Sequence, residues 1–282
     1  MSNCNVCKET PHEKYFGAAP PLLLSFPGSG NTWLRILIKH LIGYGTASIY
    51  NDPTLSHMVP CEGHCTHRVA AVKAHPNDIL LTENKQLLAK HNPAVQKCFA
   101  GSTWSRVLFV GRDPFDSLFS DFHLFVTGSH SGTADFNKQG AKNFFPWKVR
   151  DESEKIGSFW RQVLSSQRPE VMGESKSLFL RYEDIMNPVT RHEQIKRIAG
   201  FVTNAPFVIA NIDDSAIDLA NNRSDTDNIH RKAKINKTEI YLNYENLICD
   251  IWSNTIEYVT YFNYTIMDGV KCDSGRYPNI VI

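Results

Sequence analysis

The chain has 282 residues, a length that suits one large α/β domain or two small ones. Its hydrophobic fraction of 42% is enough for a sizeable core, and 30 basic against 29 acidic residues leave a formal charge of +1. That balance excludes the basic excess of a broad nucleic-acid or heparin face, while a local basic pocket stays open.

Residues 1–19 are a polar lead-in without the basic and apolar regions of a secretory leader. No stretch reaches the roughly 20 apolar residues that span a bilayer. The chain as it stands is therefore expected in the cytoplasm, or in the Golgi lumen if an anchor precedes it. Residues 20–282 are read as one domain. Residues 22–26 form a short apolar run ending at Pro27-Gly28, which suits a buried strand entering a tight loop. From Asn31 the period changes: Leu34, Leu37, Ile38 and Leu41 share one helical face, and Gly43 and Gly45 stop the helix.

Residues 68–72 predict a second strand running into Lys73-Ala74-His75-Pro76, and a helical pattern is read near Leu87 and Leu88. Residues 107–110 predict a third strand ending at Gly111-Arg112. A helix opens there, with Asp113 as N-cap, Pro114 as first residue, and Phe115, Leu118, Phe119 and Phe122 on its apolar face. Residues 127–149 mix Gly, Ser, His, Asn and aromatics without clear period, and are read as a long loop over a site. A helix follows around residues 156–164, a fourth strand at 178–180 runs into Arg181-Tyr182-Glu183-Asp184, and Ile195, Ile198, Ala199 and Val202 mark another helix. Residues 239–261 read as helical. Alternating strands and helices predict an α/β fold with a mainly parallel central sheet flanked by helices. In such sheets ligands bind outside the carboxyl ends of the strands, so Pro27, Lys73, Arg112 and Tyr182 are expected on one edge.

A loop of small residues between a strand and a helix N-terminus is an anion site, because its N–H groups are unpaired and the helix dipole favours negative charge. Gly28 and Gly30 permit close backbone approach, and Ser29, Asn31 and Thr32 add side-chain donors. The loop is too short for the ATP-binding pattern G-x-x-x-x-G-K-[ST] and has no lysine, which disfavours a nucleoside kinase.

These residues resemble a known family. Pro27-Gly28-Ser29-Gly30-Asn31-Thr32-Trp33 looks like the 5′-phosphosulfate loop of sulfotransferases, written PKSGTTW in their cytosolic branch. Arg112-Asp113-Pro114-Phe115-Asp116, with Ser120 eight residues after the arginine, looks like the family's 3′-phosphate motif. Val72-Lys73-Ala74-His75 resembles its K-T-H segment and Tyr182-Glu183-Asp184 its Y-E-D segment, in the same order. The resemblance runs from about residue 20 to about residue 262. It is strongest to the catalytic part of the WSC-domain-containing sulfotransferases, whose loop reads S-F-P-G-x-G-N-T-W.

The resemblance implies a P-loop-like sulfotransferase fold and 3′-phosphoadenosine 5′-phosphosulfate as co-substrate. Gly28 through Thr32 would hold the 5′-phosphate and sulfate oxygens, with Trp33 and Tyr182 against the adenine. Arg112 and Ser120 would hold the 3′-phosphate. Arg231 and Lys232 would complete that pocket, although Ala233 stands where the family's R-K-G pattern has glycine. His75 would be the general base, Lys73 would stabilise the transferring sulfuryl group, and no metal is implied. One departure concerns turnover: Gly28 stands where the cytosolic branch has a leaving-group lysine. A catalytically weak or inactive nucleotide-binding relative is the alternative reading. The acceptor (a glycan, a small alcohol or phenol, or a protein) has no diagnostic motif, and neither does the oligomeric state. Of seven cysteines, Cys4, Cys7, Cys61 and Cys65, with His64 and His67 nearby, could form a zinc site or one or two disulfides, and reduced thiols of no special role are the plainer reading. Sequons stand at Asn222, Asn236 and Asn263.

Overall fold

The computed structural model describes residues 19–50, 52–59, 61–62, 69–75, 78–81, 87–89, 103–204, 212–226, 235–273 and 276. The chain divides into two compact units. One comprises Met1–Ser25, Gly30–Gly111 and Ser166–Ile229; the other comprises Phe26–Ser29, Arg112–Ser165 and His230–Ile282.

The first unit is built on a five-stranded parallel sheet. Its strands are β1 (Leu22–Ser25), β2 (Ala47–Ser48), β3 (Val72–Ala74), β7 (Val107–Gly111) and β8 (Ser177–Arg181), in the order β2-β3-β1-β7-β8. Leu23 is in register with Lys73 on one side and Leu108 on the other, and Gly111 pairs with Arg181. Leu22–Leu24 of β1, Val107–Val110 of β7 and Leu178–Leu180 of β8 read as apolar runs because both faces are buried. On one face Leu23, Leu108, Val110, Leu178 and Leu180 join a cluster with Leu34, Leu37 and Ile38 of α1 (Asn31–Ile42), Ile195, Ile198 and Val202 of α6 (Arg191–Thr203), and Ile217 of α7 (Asp214–Thr226). On the other face Phe109 meets Phe179 at 4.3 Å between ring centroids. A separate antiparallel sheet joins β4 (Ile79–Leu81), β5 (Leu87–Ala89) and β6 (Thr103–Trp104). The helix expected near Leu87 is therefore a strand: a three-residue apolar run has no period, and its hydrogen bonds go to neighbouring strands. The strand expected at residues 68–72 begins at Val72, and Arg68 lies outside the described residues.

The second unit is helical. Helix α2 (Pro114–Thr127) starts as expected, with the Asp113 side chain accepting from Asp116 N–H and Pro114 in the first turn. Next comes α3 (Gln139–Ser166), a 28-residue helix, so the loop expected over residues 127–149 is confined to 128–138 and its second half, 139–149, is corrected to helix. Burial supplies the reason: Phe145, Val149, Ile156, Trp160 and Val163 are 0–2% exposed at helical spacing. Helices α8 (Lys237–Leu242), α9 (Glu245–Asn254) and α10 (Ile256–Tyr261) close the unit. Tyr241 packs edge-on to Phe115 and donates to its carbonyl at 3.0 Å. The short helices α4 (Pro169–Met172) and α5 (Tyr182–Met186) flank β8 in the first unit.

Candidate functional site

The parallel register brings Ser25, Ala74, Gly111 and Arg181 to one carboxyl edge of the sheet. The residues that follow them are Phe26, His75, Arg112 and Tyr182. The first unit holds one group of predicted site residues at that edge. Ser25 anchors two of them: its hydroxyl accepts from Asn31 Nδ2 at 2.8 Å, and its carbonyl oxygen lies 2.8 Å from His75 Nδ1. A carbonyl only accepts, so Nδ1 carries the proton and Nε2 carries the lone pair of the neutral ring.

Lys73 and His75 are two residues apart on an extended segment and so share a face. Tyr50 serves both. It accepts from His75 N–H at 3.0 Å and donates to the Asp78 carboxylate. Its ring tilts against the His75 ring at 5.4 Å, and the Lys73 ammonium sits 5.3 Å from its centroid. Lys73 is 6% exposed. Burial, reinforced by the positive charge of Arg35, lowers its pKa to about 8, while Glu62 and Asp52 oppose the shift. Beside it Arg35, fully buried, pairs with Glu62 and donates through Nε to Thr46 Oγ1 at 3.0 Å; Ser48 Oγ donates to Glu62 at 2.6 Å.

Helix α1 begins at Asn31 after Gly30, whose φ of 78° is left-handed. Helix geometry leaves its first N–H groups without intrahelical acceptors, and no acidic side chain occupies its first turn. The Asn31 Oδ1 atom is buried without a hydrogen-bond partner. A Cβ on Gly30 would lie 2.2 Å from Tyr182 Cε2, so glycine is what admits that ring. Tyr182 meets Trp33 edge-on at 6.3 Å; Trp33 is 2% exposed within the core cluster, and Thr32 is buried.

The second unit holds the other group. Ser29, also buried, donates its N–H to Phe26 O at 3.1 Å, which closes a tight turn. Gly28 has φ 81°, and a Cβ there would fall 2.2 Å from Ser117 O and 3.0 Å from Ser120 Cβ. The turn therefore lies directly on α2. Arg112 Nη1 donates to Gly28 O at 2.6 Å. Tyr258 braces the Arg112 backbone, accepting from its N–H at 2.6 Å and donating to its carbonyl at 2.5 Å. Asp113 caps the helix, and Asp116 takes Lys237. One turn on, burial raises the Asp121 pKa to about 6, against the pull of Lys148 at 3.7 Å.

A family model described as the sulfotransferase domain matches residues 20–250. The chain belongs to the sulfotransferase family. A WSCD family member of Drosophila pseudoobscura pseudoobscura is 28% identical over 156 residues, covering 53% of this chain and 38% of that protein. Cytosolic sulfotransferase 14 of Arabidopsis thaliana is 24% identical over 250 residues, covering 84% of this chain and 69% of that protein. The crystal structure of mouse sulfotransferase SULT7A1 complexed with PAP is similar at 14% identity and a TM-score of 0.45, over 89% of this chain and 93% of that one. The matches to the WSCD family members span 38–49% of their length.

Within this sulfotransferase domain the structure brings together Lys73 with His75, Gly30 with Trp33 and Tyr182, and Gly28 with Arg112 and Ser120. Arg231 and Lys232 lie outside the described residues, as do Cys4, Cys7 and Cys65. Sequence reasoning missed Tyr50, Asp78 and Tyr258. Their side chains act through contacts 25 to 146 positions distant in the chain, for which a single sequence has no local signal. Among the described residues no helix is long and apolar enough to cross a membrane.

Proposed function

We propose that this sulfotransferase-family chain moves a sulfuryl group from 3′-phosphoadenosine 5′-phosphosulfate to a hydroxyl or amine acceptor. The carrying observation is the His75 Nδ1 contact to Ser25 O, which favours the tautomer a general base needs. In this reading the acceptor's proton passes to His75 Nε2 as its oxygen or nitrogen bonds to sulfur. The sulfur–oxygen bond to the 5′-phosphate breaks in line. Lys73 offsets charge on the sulfuryl oxygens, and the α1 N-terminus with Ser29, Asn31 and Thr32 holds the phosphosulfate. Arg112 and Ser120 take the 3′-phosphate, the partly exposed Tyr182 lies against the adenine with Trp33 supporting it edge-on from the core, and Arg231 and Lys232 add to the 3′ pocket. Catalysis of this kind is mostly positioning and electrostatics.

The test has two parts. 3′-Phosphoadenosine 5′-phosphate raises the melting temperature, and Arg112→Ala removes most of that rise; the absence of any shift in the wild-type protein counts against the reading. Labelled sulfate passes to a member of an acceptor panel spanning glycans, phenols and peptides. His75→Ala keeps the thermal shift and loses about 100- to 10,000-fold in transfer.

One observation favours a second reading, a nucleotide-binding relative with weak or no turnover. Gly28 occupies the position of the leaving-group lysine, and its surroundings have no room for a Cβ. Nucleotide-dependent stabilisation without transfer to any acceptor selects that reading; a single labelled product eliminates it.

A further inference from the structure

Cys249, 4% exposed on α9, is disulfide-bonded to Cys272 in the segment after α10. Cys61, buried after the short 3-10 helix at Pro53–Leu55, is also disulfide-bonded. Each of the three cysteines among the described residues is thus oxidised. Glutathione and thioredoxin keep cytosolic thiols reduced, whereas structural disulfides persist in secretory compartments.

The same C-terminal region supplies an independent observation. In the sequons Asn236-Lys237-Thr238 and Asn263-Tyr264-Thr265, both the asparagine and the threonine are exposed. Asn263 has φ 53° in the turn that ends α10, outside regular structure. Asn236 has extended backbone before α8; its Oδ1 accepts from Glu239 N–H, which leaves the amide nitrogen as the reactive atom. The third sequon differs. Asn222 lies inside α7, and Ser224 is fully buried, its hydroxyl donating to Ala220 O at 2.8 Å.

We propose that this chain matures in an oxidising secretory lumen rather than the cytoplasm, and carries N-linked glycans at Asn236 and Asn263 but not at Asn222. A glycan at either site adds bulk only where the surface is already open. In each glycosylation the asparagine amide nitrogen bonds to the anomeric carbon of a lipid-pyrophosphate-linked oligosaccharide. The bond from that carbon to the pyrophosphate oxygen breaks, and one amide proton is released. In the oxidation, the two thiols of Cys249 and Cys272 lose two protons and two electrons, and the electrons reduce the disulfide of a dithiol oxidoreductase. The resulting bridge fixes the segment carrying Asn263 to α9.

The test is peptide mapping of the protein isolated, with thiols blocked, from the cells that naturally produce it. Peptide-N-glycosidase in heavy-oxygen water converts Asn236 and Asn263 to labelled aspartate, and leaves Asn222 unlabelled. A Cys249–Cys272 cross-linked peptide appears and separates on reduction. Alkylated Cys249 and Cys272, unlabelled Asn236 or Asn263, or a glycan at Asn222 each overturn the proposal. None of these readouts depends on transfer activity.

Discussion

The Tyr50 hydroxyl takes the His75 backbone N–H and gives its own proton to Asp78, while its ring contacts both the His75 imidazole and the Lys73 ammonium. Removing the oxygen alone leaves the ring contacts and strands one donor and one acceptor. A lost hydrogen bond of this kind costs roughly 1–3 kcal/mol. Tyr50→Phe is therefore expected to lower kcat by about 5- to 100-fold, with the nucleotide-dependent rise in melting temperature unchanged and the acid limb of the pH–rate profile shifted. Wild-type kcat with an unmoved profile sinks this positioning role. Gly28 has a different constraint. Its φ of 81° and the 2.2 Å approach to a backbone oxygen of α2 exclude any side chain without movement of the turn. Gly28→Lys, which restores the cytosolic branch's residue, is expected to destabilise the protein by more than about 1 kcal/mol and to gain no transfer rate. Faster transfer in that variant would mean that the turn accepts the lysine after all.

At the scale of elements, α3 carries a test of close helix contact. A Cβ on Gly157 would fall 1.7 Å from the backbone oxygen of Asn254 at the end of α9, and neither backbone yields as a flexible side chain would. Gly157→Ala is expected to lower stability by about 1–3 kcal/mol, read as a lower urea midpoint at an unchanged m-value. The same helix illustrates what the sequence conceals. Gly140, Pro146 and Gly157 all lie inside α3, and Pro146 removes one N–H from its ladder. Residues 127–149 read as a loop because their mixture of Gly, Ser, His, Asn and aromatics has weak period. The stripe from Phe145 through Val149, Ile156 and Trp160 was there to be found by following period past the punctuation. By contrast β1, β7 and β8, and the starts of α1 and α2, follow directly from apolar runs, glycines and an Asp-Pro cap. The site divides along the same line. Residues in short local motifs are legible; Tyr50 and Asp78 in the first unit, and Tyr258 in the second, reach their groups only through tertiary contacts.

For the whole molecule, the proposed role of the buried Lys73 sets catalysis against stability. Burial lowers its pKa from 10.5 to about 8, so between those values the unfolded chain binds the extra proton and the folded chain does not. Stability from this group therefore rises with pH across that window, and is lost as pH falls through about 8. At pH 7 the folded state holds a charged ammonium at a cost on the order of 3 kcal/mol. Lys73→Met keeps most of the volume and removes the charge, while Glu62 retains Arg35 as its partner. The variant is expected to be more stable than wild type at pH 7 by up to about 3 kcal/mol. Its advantage should shrink to a few tenths of a kcal/mol by about pH 10.5, where the folded lysine is neutral and the unfolded one is half protonated. Sulfuryl transfer should be lost at every pH, whereas wild-type transfer should fall as pH rises through about 8 and the ammonium discharges. Urea unfolding and transfer rates on both proteins between pH 6.5 and about 10 decide the matter. A variant less stable than wild type at pH 7 would mean that the ammonium is stabilising in the fold, and the trade between turnover and stability would fall with it.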